Sequence, residues 1–275
     1  MFPKTAAECA NEGIKLCGTV VSALFPFMVL STVLISLGSE NNRASGAPKA
    51  FLLGSICGFP IGGICVKELY KKGCFGKKEA EMLIPACNLC GPAFIFGVAG
   101  QAFPDIPSAG AALYAIQLIC AGILFCFTYR KKHFKAVSGF TGGEKHEIKE
   151  PPGISAAFSA AVKEAAVNIL YICGFVVFFS FLTGMLGSLG LKGILKTFIC
   201  GLLEMTCGVK HASLSGTAGF VLTALFISFG GVSVICQTVS VISDTDLSIK
   251  KYIAVKAAMG ITSAIIAACY AVICL

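Results

Sequence analysis

The chain has 275 residues, of which 56% are hydrophobic and 13% charged, with a formal net charge of +8. A soluble domain of this length does not carry such long uncharged runs, so the composition predicts an all-α polytopic membrane protein rather than the alternating segments of a β-barrel. The positive charge lies in loops beside apolar segments, where cytoplasmic bias and anionic lipid account for it, so nucleic acid is not an expected partner.

The first half begins with an apolar span at 12–38 and continues into two interrupted elements. Residues 50–70 are predicted to form a re-entrant helical hairpin, whose tip is the segment Gly58-Phe59-Pro60-Ile61-Gly62-Gly63. Residues 79–100 are predicted to form a helix that breaks at Asn88-Leu89-Cys90-Gly91-Pro92. Glycine costs a helix about 1 kcal/mol and proline about 3 kcal/mol. Inside a bilayer such a break survives only where its freed N–H and C=O groups face protein, water or a ligand.

A third span at about 108–129 ends the first half, which comprises residues 1–130, and a polar linker at 131–153 follows. The second half, 154–275, shows a weak internal repeat. Shifting the sequence by 152 residues sets 12–38 on 164–190, with seven of 27 positions identical. Similar matches place a second hairpin at 195–210, around Glu204, and a second broken helix at 218–242, around Gly230-Gly231.

Each half then contains three crossings and one hairpin that enters and leaves on the same side. Because three is odd, the second half must be inserted upside down relative to the first. The sequence therefore predicts two inverted repeats with discontinuous helices that meet near the midplane, which is the plan of many secondary transporters.

The loop charges predict the orientation of the chain in the membrane. Fifteen Lys and Arg residues fall on the side of the linker, against five on the other side. By the positive-inside rule the linker is cytoplasmic and both termini are extracytoplasmic.

The motifs at these breaks resemble a known family. Gly58-Phe59-Pro60-x-Gly62 and Cys87-Asn88-x-x-Gly91-Pro92, with Glu204-x-Thr206-x-Gly208 and Gly230-Gly231-x-Ser233-x-x-x-Gln237, are similar to those of the YlbJ-type sporulation integral membrane proteins. That family belongs to the nucleoside-recognition Gate group and is similar in plan to the concentrative nucleoside transporters.

The resemblance implies a protein of the bacterial cell membrane or forespore membrane, linked to spore formation, that moves a small polar and anionic metabolite such as dipicolinate. The first tip lacks the polar Gln-Thr-Glu type of true nucleoside carriers, so nucleoside transport is an alternative only. The candidate substrate-binding residues are those at the breaks: Gly58, Phe59, Pro60, Gly62, Gly63, Asn88, Gly91, Pro92, Glu204, Thr206, Gly208, Gly230, Gly231, Ser233 and Gln237.

Several polar residues in apolar segments have more than one interpretation. A buried Glu204 is a candidate for proton coupling or for a hydrogen bond to substrate, but it could also reach water or pair with Lys210. Asn88 is either a substrate contact or a local cap. Lys256, about one turn from the cytoplasmic edge, is expected to snorkel to the interface, and Gln117 to make a packing hydrogen bond. Thr206, Ser233 and Gln237 could equally form interhelical hydrogen bonds.

Two classes of function remain in view, and a third is not expected. The first is a transporter or facilitator whose partners are a small-molecule substrate, membrane lipid, a coupling proton or sodium ion, and a second copy of the chain. The second is a non-transporting structural or assembly component of a spore membrane complex. The third, an intramembrane enzyme, is not expected, because the sequence contains no HExxH, no GxSxG and no paired intramembrane Asp. No cofactor or metal is expected, since Cys87 and Cys90 form a lone CxxC pair.

Overall fold

The computed structural model describes residues 2–37, 43–106, 108–133, 153–188 and 191–274. All regular secondary structure within these ranges is helical, which confirms the predicted all-α class. Most of the predicted linker, 134–152, lies outside the described residues.

The helices of the first half follow the predicted order. They are α1 (Phe2–Leu37), α2 (Arg43–Cys57), α3 (Ile61–Lys71), α4 (Lys77–Cys87), α5 (Pro92–Phe94), which continues as a π-helix at Ile95–Ala99, and α6 (Ala109–His133). The first hairpin region is longer than predicted, since α2 begins at Arg43 rather than at residue 50.

The second half contains the same order of elements. They are α7 (Ile154–Ser188), α8 (Gly193–Leu203), α9 (Met205–Ala212), a short 3₁₀ turn at Ser213–Ser215, α10 (Gly216–Phe229), α11 (Gly231–Ile242) and α12 (Ile249–Cys274). Each half thus consists of a long helix, a pair of short helices joined by a break, a broken helix and a second long helix.

Six segments of the described chain are long and apolar enough to cross a membrane, and each overlaps one of the six predicted spans. They are Ala7–Leu34, Lys77–Ala99, Ala109–Arg130, Ile154–Leu186, Met205–Ile242 and Ile249–Cys274. The chain is therefore an integral membrane protein. The re-entrant path of the two helix pairs and the inverted relation of the halves remain predictions.

Close helix approaches occur where a side chain is absent. Gly62, on α3, packs so closely on the end of α4 that a Cβ there would overlap the carbonyl oxygen of Cys87. The two helices of the first pair run antiparallel, because Gly54 lies beside Gly62 while Gly46 lies beside Leu69. Small residues at crossings are the usual way in which membrane helices bring their backbones together.

The two long first helices of the halves also pack against each other. Gly13 of α1 lies against Val177 of α7, and Cys9 lies against Gly184. The later residue of α1 contacts the earlier residue of α7, and the earlier residue of α1 contacts the later one. The two helices are therefore antiparallel. This pair forms one wall of the molecule beside the interrupted elements.

Candidate functional site

The four interrupted elements meet around one cavity of about 160 Å³. An apolar cavity of about 150 Å³ is large enough for a benzene ring, so this space fits a molecule with a single ring. Its lining includes residues from the two helix pairs, from the two broken helices and from the α1–α7 wall: Cys57, Phe59, Glu204, Met205 and Thr206; Cys90, Gly91, Val234 and Gln237; Leu24, Phe27, Ile172 and Val176.

The polar groups of this mostly apolar lining are concentrated at the second helix pair and on α11. Glu204 is 3% exposed and occupies the break between α8 and α9. Its Oε2 accepts a hydrogen bond of 2.7 Å from the backbone N–H of Cys207, so it is the N-cap of α9. Thr206 follows within the same turn, and Gln237 enters from α11, where its Nε2 donates to Ser233 Oγ at 3.3 Å.

Glu204 is not paired with Lys210, which was one of the alternatives for this carboxylate. Lys210 is exposed and its Nζ lies 3.9 Å from Glu12 on α1.

Five of the predicted substrate-binding residues line the cavity: Phe59, Gly91, Glu204, Thr206 and Gln237.

Asn88 does not line the cavity and lies in a buried polar network. Its Nδ2 donates to Thr238 Oγ1 at 3.0 Å and to the hydroxyl of Tyr252 at 3.1 Å. The side chain is fully buried, and its Oδ1 has no hydrogen-bond partner among the described residues. Asn88 therefore links the first broken helix to α11 and α12, and it keeps one unused acceptor.

Two side chains from other helices satisfy the backbone at the first break. Gln117 of α6 accepts from the Cys90 N–H at 3.1 Å and donates to the Cys90 carbonyl at 2.9 Å. Lys256 of α12 donates from Nζ to the Asn88 carbonyl at 3.1 Å. The break between α4 and α5 leaves these groups without helical partners.

The expectation that Lys256 snorkels to the interface is wrong. The residue is fully buried and lies seven positions after the start of α12, about 10 Å along the axis at about 1.5 Å per residue. Its Nζ lies 5.1 Å from the ring centroid of Phe59, at the tip of the first helix pair. Lys256 fails to reach water because α12 packs against α4 and α6, which turns this face of the helix into the bundle.

The second break is formed by backbone conformation rather than by side-chain caps. Gly230 has φ of +89° and Gly231 has φ of +77°, in the left-handed region that residues with a Cβ rarely adopt. Gly231 begins α11 beside the carbonyl oxygens that end α8. Ser233, two residues further along the same helix, is buried against Gln237.

The remaining predicted site residues are structural elements of the helix packing. Gly58 lies against the backbone of Gly91, so the first tip and the first break touch directly. Gly208 packs on Gly201 within the second helix pair in the same manner. Others lie in or beside the first tip and break without lining the cavity: Pro60, Gly62, Gly63 and Pro92.

Sequence reasoning missed the partners of Asn88. Thr238 and Tyr252 were not singled out, and Lys256 was assigned to the interface. A signal was present, because Gln117 and Lys256 are rare polar residues inside long apolar helices, and such residues usually face the bundle interior. Within the described residues no group of three His, Cys, Asp or Glu could hold a metal ion.

A cluster of charged residues joins the two broken helices at the ends that lie away from their breaks, the start of α4 and the end of α11. Asp246, after α11, accepts from the Tyr70 hydroxyl at 2.6 Å and from Lys77, which begins α4, at 2.9 Å. The hydrogen bonds from Tyr70 and Lys77 hold the pKa of Asp246 below its ordinary value, and the Asp246 contact raises the pKa of Tyr70. Lys71 pairs with Asp244 in the same loop.

The comparisons with known proteins give one curated relative. The Sporulation integral membrane protein YlbJ of Bacillus subtilis (strain 168) is 22% identical over an alignment of 313 residues, which covers 96% of this chain and 77% of that protein. This similarity confirms the resemblance to YlbJ-type proteins, while the Gate and nucleoside-recognition part of that resemblance stays a prediction. No protein-family model and no solved structure matches the chain.

Proposed function

We propose that this membrane protein is a sporulation-linked transporter or facilitator that moves a small polar metabolite through the cavity between its interrupted helices. The observation that carries the proposal is the meeting of both helix pairs and both broken helices at one cavity. Secondary transporters place their substrate sites at such discontinuous elements. The sporulation context is proposed from the name of the B. subtilis relative.

The proposed arrangement in the membrane is the pair of inverted repeats. The antiparallel packing of α1 against α7, which occupy equivalent positions in the two halves, supports it. Labelling of a single cysteine placed in the linker at residue 140 of a cysteine-free variant tests the orientation. We expect no labelling from the extracytoplasmic side, and labelling there would refute the proposed topology.

The chemistry of the cavity constrains how an anionic metabolite could be carried. Glu204 is buried in the lining and already caps the N-terminus of α9, so that helix end does not offer an open anion site. Two carboxylates in one poorly solvated space repel each other unless they share a proton. We therefore propose that a carboxylate substrate such as dipicolinate enters together with a proton, with Glu204 as the partner.

The first experiment is ligand-induced thermal stabilisation of the purified protein with dipicolinate, nucleosides and amino acids. We expect one class to raise Tm, and we expect Glu204→Gln to weaken that ligand by about tenfold to a hundredfold, since losing a hydrogen bond to a charged group costs about 1.5–3 kcal/mol. Glu12→Gln, at an exposed carboxylate, is the matched control. A ligand that binds Glu204→Gln and wild type equally would exclude Glu204 from the site.

A second candidate function is a structural or assembly component of a spore membrane complex. The hydrogen bonds of Gln117 and Lys256 to the backbone of the first break favour this function. They stabilise the break without any ligand. Thr206→Trp, which fills the cavity, separates the two functions. Uptake into proteoliposomes is lost if the cavity carries substrate, whereas a component of an assembly keeps its role in spore formation.

A further inference from the structure

The first break carries a buried amino group that belongs to the chain itself. The ammonium of Lys256 contacts the carbonyl oxygen of Asn88, the residue that ends α4, at 3.1 Å. The C-terminal end of a helix bears a partial negative charge, which favours a cation at this position. On its other side the ammonium faces the ring of Phe59 at 5.1 Å, a cation–π geometry.

The surroundings of this ammonium lack a carboxylate. Among the described residues, none of the acidic side chains lies within ion-pair distance of Lys256 Nζ, although the side chain is fully buried. An isolated charge is expensive to bury, so its compensation falls on the carbonyl oxygen, the helix end and the aromatic face. All three come from the first broken helix and the first tip.

Asn88 supplies a second acceptor at the same break. Both protons of its amide are used by Thr238 and Tyr252, which fixes the orientation of the side chain. Its Oδ1 is buried and has no partner among the described residues. A carbonyl oxygen freed by helix unwinding is the kind of ligand that binds a coupling cation in transporters with broken helices. The unused Oδ1 belongs to the same residue, although Lys256 Nζ contacts only the backbone oxygen.

We propose that the Lys256 ammonium is a tethered cation that takes the place of a bound sodium ion at the first helix break. The chain then needs no sodium at this position, and a small monovalent cation can bind only after the lysine is shortened. Only the statement that Lys256 replaces a coupling ion rests on the proposed transport function. Binding of a cation to the shortened variant is measured without transport.

The experiment compares purified wild type and Lys256→Ala in NaCl, NH₄Cl and N-methylglucamine chloride at equal ionic strength. We expect the wild-type Tm to be the same in the three salts. In N-methylglucamine chloride we expect the Tm of Lys256→Ala to lie below that of wild type. In saturating NH₄⁺ or Na⁺ we expect the Tm of this variant to rise by about 2–4 °C above its value in N-methylglucamine chloride. Lys250→Ala, at an exposed lysine of the same helix, should show no such cation-specific gain.

Lys256→Met keeps the apolar stem and fills the space, so it should lose stability without regaining it in any salt. The proposal is overturned if Lys256→Ala is folded and its Tm is the same in all three salts. A saturable sodium response in the wild type overturns it too. Lys256→Ser replaces Lys256→Ala in the same three salts if the alanine variant cannot be purified. Ligand binding by the wild type is scored separately, so failure of the transport function is distinguishable from failure of the tethered cation.

Discussion

The two helix breaks interrupt equivalent elements of the two halves but are stabilised in different ways. At the first break, side chains from α6 and α12 reach the freed backbone, through Gln117 at Cys90 and Lys256 at Asn88. At the second break, Gly230 turns the chain in the left-handed region, and Gly231 brings α11 directly against the end of α8.

This difference shows that one architectural problem has two physical solutions in the same chain. The first break depends on polar side chains that lie far away in the sequence, so it is sensitive to the loss of a hydrogen-bonding group. The second depends on the absence of a Cβ, so it is sensitive to the addition of a methyl group. Substitutions of opposite kinds therefore test the comparison.

The largest effect is expected at the side-chain cap of the first break. Gln117→Leu leaves the buried N–H and C=O of Cys90 without partners, and each orphaned group costs about 1–3 kcal/mol, or about 2–6 kcal/mol together. The measurement is the midpoint of thermal or denaturant unfolding in detergent. Gln101→Leu, at an exposed glutamine, is the control. Equal stability of Gln117→Leu and wild type would mean that water replaces the amide.

At the second break the destabilising change is a gain of volume. Gly230→Ala forces a residue with a Cβ into a φ of +89° and costs about 1–2 kcal/mol, with Val234 only 3.1 Å from the new methyl group. Gly174→Ala on α7, which meets no neighbour, should instead stabilise the protein slightly because alanine is the better helix former. If both substitutions had the same sign, the glycine explanation of the second break would be lost.

A smaller effect is expected at the hydrogen bond that connects the two broken helices. Thr238→Val keeps the shape of the side chain and removes the hydroxyl that accepts from Asn88 Nδ2. We expect a cost of about 1 kcal/mol, the lower end of the range for one orphaned buried group, because Nδ2 keeps its hydrogen bond to Tyr252. A double-mutant cycle with Asn88→Ala measures the coupling. Additivity of the two substitutions would show that the breaks are energetically independent. Thr262→Val, at an exposed position of α12, is the matched control.

The smallest effect at neutral pH is expected at Asp246, where the end of α11 meets the start of α4. The pKa of Asp246 is lowered by its contacts with Tyr70 and Lys77, so its contribution is present above its ordinary pKa of about 4 and is lost as pH falls through the lowered value. The Tm of Asp246→Asn should therefore lie slightly below that of wild type at pH 7, and the two should converge in acid. A constant Tm difference across this range would exclude the charge as its cause, and Asp105→Asn on an exposed turn serves as the reference.

The sequence alone determined where the helices lie and where they break. Hydropathy defines six spans, and glycine or proline interrupts the helix at Gly58–Pro60, at Asn88–Pro92 and at Gly230. These are local properties, since helix propensity and apolar length are carried by consecutive residues. The same reasoning placed Glu204, Thr206 and Gln237 among the site candidates, because polar residues beside breaks in apolar segments have few other uses.

Tertiary structure decided which of these residues face the cavity and which support it. Asn88 turns away from the cavity towards Thr238 and Tyr252, and Lys256 points inward to the Asn88 carbonyl, because α12 packs beside α4. The sequence around Lys256 favours snorkelling to the interface, because the residue lies only about one turn from the predicted membrane edge, yet it is also compatible with burial. The choice depends on which helix faces that side of α12, and this is fixed only when residues about 170 positions apart come together.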